Sequence, residues 1–165
     1  MINKIIIEGP NNTGKSSLIE MLKSKLGWEV EHCTQYTPMS EYDLFKSLSN
    51  KHKMIFDRHG IGEMVYPEIY GRKQQIERHD LRRLYKYFDK NTLIIFVFAD
   101  LDFMIKAHKE KREMFDKNFV YKEINLFHRE YEYLTDWCEN VFAVKHSWGK
   151  GYEREVEQII KRIYS

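Results

Sequence analysis

Apolar residues fall along this chain in short continuous runs, separated by segments with a single apolar face. Lys4-Ile5-Ile6-Ile7-Glu8 is a β-branched run that stops at Gly9, the pattern of a strand buried on both faces of a parallel sheet. Leu18, Ile19, Leu22 and Leu26 share one face of a predicted helix that Gly27 ends. Trp28 to Cys33 alternates and predicts a second strand. Pro38 interrupts the chain, and Ser40 with Asp43 reads as the capping pair of a helix carrying Leu44, Phe45 and Leu48. Lys53 to Asp57 predicts a third strand that stops on an acid. A helix is predicted from Gly60 to Arg72, bent or restarted at Pro67. Leu81, Leu84, Tyr85 and Phe88 mark another amphipathic helix. Thr92 to Phe98 is the strongest strand pattern in the chain. A charge-rich stretch, Lys106 to Lys117, precedes a helix with Ile124, Phe127, Tyr131, Leu134 and Cys138 on one face. Val141 to Val144 is the last strand, and Val156, Ile159, Ile160 and Ile163 line a closing helix.

Strands alternate with helices throughout, without repeats, linkers or low-complexity segments. This predicts an α/β fold in one domain, 1–165, with a parallel sheet covered by helices on both faces. Ligands of such sheets lie beyond the carboxyl ends of the strands, so Glu8, Asp57 and Asp100 are expected to point at one crevice.

Composition narrows the classes. With 42% apolar and 32% charged residues in 165, the chain has the balance of a globular protein that needs no staples. A formal net charge of +2 does not suggest a dedicated nucleic-acid binder. Cys33 and Cys138 are the only cysteines and lie far apart, so neither a disulfide framework nor a zinc site is implied. No run is long enough for a bilayer span, and the opening run is too short for a signal peptide. The expected location is a reducing cytoplasm, with no membrane partner.

One motif carries chemistry. Gly9-Pro10-Asn11-Asn12-Thr13-Gly14-Lys15-Ser16 matches G-x-x-x-x-G-K-[ST] at every fixed position, between a predicted buried strand and an amphipathic helix. Glycines let backbone N–H groups close around phosphates, and the following helix adds its N-terminal dipole. Lys15 can bridge the β- and γ-phosphates, and Ser16 can offer its hydroxyl to Mg²⁺. Gly9, Asn12, Thr13, Gly14, Lys15, Ser16 and Ser17 are therefore the expected ATP-phosphate cradle. The loop does not identify the acceptor. No N-K-x-D run occurs, and Asp57-Arg58-His59 is read as distinct from D-x-x-G, which argues against a GTPase. The chain is too small for the sensor and assembly elements of a motor ATPase.

Glu8 to Ser17 resembles the E-G-x-D-G-x-G-K-[ST]-T loop of thymidylate kinases, with Asn11 and Asn12 standing where that loop carries Asp-Gly. Asp57-Arg58-His59 resembles the D-R-[YFWHS] motif of the same family and its deoxynucleoside kinase relatives. The stretch from Asp57 to Arg72, with Glu63, Tyr66 and Tyr70, is similar to short phage-type members. Glu31 to Pro38 stands in place of the R-E-P signature of true thymidylate kinases. The resemblance implies a P-loop NTPase fold with strand order 2-3-1-4-5, a lid near 106–118, and ATP with Mg²⁺ as donor and cofactor. It implies that Ser16 and Asp57 serve the metal, and that Lys15, Asp57, Arg58 and the lid's Arg112 act on the transferring phosphoryl group. It implies an acceptor site from Glu8, Asn11, Arg58, His59, Glu63, Tyr66, Tyr70 and Arg72, filled by a small nucleoside or nucleotide. Members of the family often form homodimers through helices.

Single residues also have plainer readings. Tyr66 and Tyr70 share a helical face and suit either stacking on a base or core packing. Glu8 suits a base, a sugar ligand or an orienting role. Lys106, Lys109, Lys111, Arg112 and Lys117 form a charge run that can equally be a solvated face. Two other functions stay open. One is kinase action on a polynucleotide end or a modified base in DNA, with Arg78, His79, Arg82 and Arg83 along the backbone. The other is a nucleotide-binding regulatory protein with little turnover.

Overall fold

A computed structural model of the chain describes residues 1–34, 37, 39–110, 116–146 and 151–165. Five strands form one parallel sheet: β1 (Lys4–Glu8), β2 (Glu29–His32), β3 (Met54–Asp57), β4 (Thr92–Ala99) and β5 (Val141–His146), in the order β2-β3-β1-β4-β5. That is the expected order. β1 is central because its β-branched run can bury both faces, and all five of its residues are buried. Its register sets Ile6 beside Phe56 of β3 and Ile94 of β4.

The period of two along the strands divides the core. Ile6, Phe56, Ile94 and Phe96 face a layer built from α2 (Glu41–Asn50), α3 (Gly62–Tyr70), α4 (Arg78–Phe88) and α6 (Lys117–Thr135). Ile5, Ile7, Ile55, Ile95 and Val97 face α1 (Lys15–Leu26) and α7 (Glu153–Tyr164), through Leu18, Leu22, Val156, Ile159 and Ile163. Among the described residues, no helix is long and apolar enough to cross a membrane.

Local signals set several helix ends. Ser40 caps α2 by accepting from the Asp43 N–H at 3.2 Å. Gly27 and Gly71 end α1 and α3 in the left-handed conformation, at φ 66° and 64°. Four expectations need correction. The helix expected over Gly60 to Arg72 is shorter, and α3 runs through Pro67 to Tyr70 without a restart. A further helix, α5 (Leu101–Glu110), occupies the first half of the stretch read only as charge-rich, anchored by buried Met104 and His108 one turn apart. Cys138 is buried but lies beyond α6; its N–H returns to Leu134 O at 2.9 Å as the chain turns into β5. Finally, β4 runs to Ala99, which carries Asp100 past the crevice, where it pairs with Lys145 at 2.6 Å on the surface.

Candidate active site

The loop from Gly9 to Gly14 joins the end of β1 to the start of α1. Gly9 has φ 138°, and a Cβ there would lie 2.3 Å from Val97 O of the neighbouring strand. Only glycine lets the loop cross β4 so closely. Gly14, at φ 87°, is the left-handed residue before α1, and a Cβ would meet the Tyr152 hydroxyl at 2.7 Å. That hydroxyl donates to Thr13 O at 3.2 Å, so α7 supports the loop from behind. Thr13 Oγ1 donates to Pro10 O at 3.0 Å, and Lys15 Nζ donates to Gly9 O at 3.0 Å. Burial, then the nearby Arg58, push the Lys15 ammonium down to about 7, against the pull of Glu123, Glu8 and Asp57. A polyphosphate would reverse that balance by supplying negative charge beside the amine.

A cavity of about 980 Å³ opens over this loop. It is lined by Asn11 to Ser17, by Asp57 and Arg58, and by Tyr70, Phe103, His108 and Phe119. Ser16 and Ser17 stand exposed in the first turn of α1, where helix N–H groups have no intrahelical partner. Ser16 and Asp57 thus bring a hydroxyl and a carboxylate to one cavity, hard oxygen donors of the kind Mg²⁺ takes alongside phosphates and water. Asp57 is also held by His32 Nδ1 at 2.7 Å, from the neighbouring strand end.

A second cavity, of about 300 Å³, adjoins the first and shares Asn11, Arg58 and Tyr70 with it. Glu8, Cys33, Met39, Glu63, Tyr66 and Arg72 complete most of its wall. Every acceptor residue named from the sequence lines this cavity. Arg58 stands at the junction in a left-handed backbone, φ 67°, strain of the kind that gathers at functional sites. Its Nη2 donates to Asn11 Oδ1 at 2.8 Å, and its guanidinium lies over the Tyr66 ring at 5.3 Å. Its Nη1 is 3.9 Å from Glu8 Oε2. Burial opposes its charge, but Tyr66, Glu8, Glu123 and Asp57 together hold the pKa above the ordinary arginine value.

Glu8 is fully buried at the end of β1, and Oε1 accepts the His59 N–H at 2.8 Å. Burial raises its carboxyl above the usual range, with Arg58 and that N–H opposing. His59 meets the site through this backbone group. Its imidazole turns into the core, 3.1 Å from the Tyr85 hydroxyl and 2.8 Å from Ser47 Oγ, and burial pushes it down to about 3. The expectation of a His59 side-chain contact to the acceptor is corrected accordingly. Glu63 and Arg72 form a two-pronged ion pair, at 3.0 and 2.5 Å, on the far wall. Tyr66 and Tyr70 stack at 6.0 Å with 20° between their planes.

One buried carboxylate escaped the sequence reading. Glu123 of α6 is fully buried; its Oε1 accepts the Asn11 N–H at 3.0 Å and the Tyr66 hydroxyl at 2.8 Å. The signal was present, since Val120, Glu123, Phe127, Glu130 and Leu134 follow helical spacing and put two acids in the buried stripe. Of the residues expected in a lid, Lys106 and Lys109 belong to α5 and Lys117 opens α6, whereas Lys111 and Arg112 lie outside the described residues. The basic cluster is engaged by its own neighbours. Arg78 pairs with Glu130 at 2.6 Å, Arg83 with Glu41 at 2.7 Å, and Arg82 lies over Trp137 at 3.9 Å. No group of three metal-ligating side chains occurs among the described residues.

A family model described as "50S ribosome-binding GTPase" matches residues 4–128. The chain belongs to this family. For this GTPase-family chain the earlier reading of Asp57 is corrected in one respect: with Gly60 included, Asp57-Arg58-His59-Gly60 spells D-x-x-G. No N-K-x-D run is present. No curated protein matches the chain. Its fold is similar to that of YorR from Bacillus subtilis in complex with phosphorylated GDP, at TM-score 0.77 and 15% identity over 98% of this chain and 95% of that one. It is also similar to deoxyadenosine kinase from M. mycoides with products dCMP and a flexible dCDP bound, at TM-score 0.66 and 16% identity over 98% of both chains. Shikimate kinase from Acinetobacter baumannii with shikimate follows at TM-score 0.60 and 10% identity, over 99% of this chain and 94% of that one. At such identities the likeness establishes the P-loop NTPase fold. Kinases of small molecules are among its neighbours.

Proposed function

We propose that the chain is an ATP-dependent kinase that transfers the γ-phosphate to a deoxynucleoside or its 5′-monophosphate, in the manner of the thymidylate kinase-like group. The observation that carries this reading is the pair of adjoining cavities with Arg58, Asn11 and Tyr70 in both walls. A hydrolase needs room for a nucleotide and a water, whereas a transferase needs a second walled site next to the first. Phosphoryl transfer asks the protein mainly to position two oxygens in line and to surround the transferring group with positive charge.

In this reading the loop N–H groups and the first turn of α1 hold the donor phosphates, and Lys15 neutralises the β- and γ-oxygens. Ser16 and Asp57 would hold Mg²⁺, which supplies further neutralisation of phosphate charge when bound. Arg58 reaches the phosphoryl group from the junction. Asn11, whose side chain is bonded to Arg58 and whose N–H is bonded to Glu123, fixes that guanidinium relative to the loop. Tyr66, Tyr70, Glu63 and Arg72 wall the acceptor. Arg112, outside the described residues, is the proposed lid contact to the β/γ-phosphates.

The test is release of ADP from ATP·Mg²⁺ against a panel of nucleosides, nucleoside monophosphates and short oligonucleotides. Acceptor-dependent release supports the reading, and ATP binding without release in any arm defeats it. A second reading is favoured by the family match and the D-x-x-G at Asp57 to Gly60: hydrolysis of GTP without an acceptor. Replacing ATP by GTP in an acceptor-free arm of the same assay separates the two.

A further inference from the structure

An open groove of about 480 Å³ shares no residue with either cavity of the candidate site. It is lined by His79, Arg82, Arg83, Lys86 and Tyr87 of α4, with Trp137 from the turn after α6. The α4 positions recur every three or four residues, which sets these side chains on one face of the helix. They run about 10 Å along its axis, at roughly 1.5 Å per residue. Among the described residues, no carboxylate and no aliphatic residue lines this groove. Cations and flat rings make up its wall.

The Arg82 guanidinium lies over the Trp137 ring at 3.9 Å, and its Nη1 donates to the Tyr133 hydroxyl at 3.3 Å. Rings, and no carboxylate among the described residues, therefore hold Arg82 in place. Arg83 meets Glu41 at 2.7 Å and Asp80 at 3.0 Å, His79 meets Asp80 at 3.2 Å, and Lys86 meets Asp89 at 3.6 Å. Arg83, His79 and Lys86 all stand more than half exposed. Ion pairs so open to water contribute little and exchange partners readily. Trp137 and Tyr87 keep 45% and 72% of their surface exposed, although Leu81, Leu84, Tyr85 and Phe88 already anchor α4 on its other face. Phe45 of α2, 5.9 Å from Tyr87, continues the aromatic surface.

We infer that this groove is a docking surface for a single-stranded polynucleotide, with bases stacked on Trp137 and Tyr87 and phosphates on Arg82, Arg83 and Lys86. About 10 Å of helix covers roughly three phosphates of a stacked strand, at about 3.4 Å each. A duplex hides its base faces from such rings. An acidic peptide engages the cations and leaves the rings uncovered. A second copy of the chain would set cations against cations across an isologous contact. A polymer that carries a flat ring and a negative charge on every unit matches both halves of the lining. The groove lies apart from the phosphate loop, so a strand docks there without displacing ATP. This inference goes beyond the kinase reading and holds for any acceptor that reading takes.

The experiment follows the fluorescence anisotropy of a labelled oligothymidylate of about twelve nucleotides added to the whole protein. Salt is varied, and each titration is repeated with saturating ATP·Mg²⁺. Saturable binding that ATP leaves unchanged is the expected result. The slope of log K against log salt should be about −2, from three phosphate contacts at about −0.7 each. Arg82→Ala should lower that slope by about 0.7. Trp137→Ala should weaken the Kd roughly 5- to 100-fold, the loss of one stacked base. Tyr87→Ala, at a largely exposed position, repeats that test where folding is not at stake. All three variants should bind ATP as the wild type does. A duplex of the same length should bind at least about tenfold more weakly. Absence of binding at low salt would overturn the inference, as would displacement of the strand by ATP·Mg²⁺. Equal affinity for the duplex, for polyglutamate or for phosphatidylserine vesicles would assign the groove to anions in general and overturn it too. So would wild-type affinity in both Trp137→Ala and Tyr87→Ala.

Discussion

The Tyr66 hydroxyl donates to Glu123 Oε1 at 2.8 Å, joining α3 to α6 beside the smaller cavity. The same carboxylate oxygen holds the Asn11 N–H, so one buried side chain ties the wall of one cavity to the phosphate loop of the other. Removing it leaves two half-buried donors without their acceptor. Glu123→Ala should destabilise the protein by about 1–3 kcal/mol, the range for losing the partner of a buried polar group. For a chain of this size the thermal midpoint should then fall by roughly 2–12 °C. Glu123→Gln retains an acceptor oxygen and should recover most of that loss. Equal midpoints for the two variants would mean that the tie carries no weight.

Arg58 belongs to both cavities, so its loss should fall on turnover rather than on ATP binding. If Arg58 acts on the transferring group as proposed, Arg58→Ala should lower kcat by about 10³-fold, with ATP affinity within a few-fold of wild type. Arg58→Lys should recover little, because a point charge cannot bond Asn11 and reach Glu8 in one fixed plane. Steady-state kinetics beside calorimetric ATP binding separates the effects. A proportional loss of affinity and rate would assign Arg58 to donor binding alone.

The part of the molecule legible in the sequence is the part whose causes are local. The strand run at Ile5 to Ile7 and the run from Leu93 to Val97 announce double burial, and the spacing of Gly9, Gly14, Lys15 and Ser16 announces the loop. Glu63, Tyr66, Tyr70 and Arg72 line one cavity because they follow Asp57 closely, on α3 and the turn after it. What failed depended on distant partners. His59 is drawn into the core by Tyr85 and Ser47, neither of which its own neighbourhood reveals. Glu123 reads as an ordinary helix acid until Asn11 and Tyr66 close on it. The helix α5 was hidden because its charged residues outweigh the two that anchor it, Met104 and His108.

The close crossing of Gly9 and Val97 sets a steric test of the loop. Alanine at position 9 would place its Cβ 2.3 Å from a backbone oxygen, at φ 138°, where side chains are rarely accommodated. Neither neighbour can yield without moving β1 or β4. Gly9→Ala should cost about 3–4 kcal/mol and lower the midpoint by roughly 10 °C. Gly27→Ala serves as the comparison. Its φ of 66° carries the left-handed cost, but nothing lies within 4 Å of the added carbon, so the loss should be only about 1 kcal/mol. Chemical unfolding of the two variants checks the order. Equal losses would assign the requirement at Gly9 to backbone freedom and not to the crossing.

Cys33 gives a probe of the smaller cavity that needs no substitution. Burial, then the charges of Glu8 and Asp57, push its thiol up to about 12, whereas Cys138 is pushed up to about 11 by burial, then by Asp89 with Lys86 opposing. Both shifts disfavour the thiolate, the species that reacts with alkylating reagents. At pH 8 only about one Cys33 in ten thousand should be ionised, against roughly a quarter of a free cysteine with pKa near 8.5. Labelling of the native protein by iodoacetamide should therefore be slow, and its rate should rise about tenfold per pH unit from pH 7 to 10 without levelling off. In denaturant both thiols should label fast and level off near pH 9, where an ordinary thiol is mostly ionised. Since Cys33 lines the cavity and Cys138 does not, a bound acceptor should slow labelling at Cys33 alone. Peptide mapping of the two sites reads this directly. Rapid labelling of Cys33 with a plateau near pH 8 would contradict the environment described for the cavity wall.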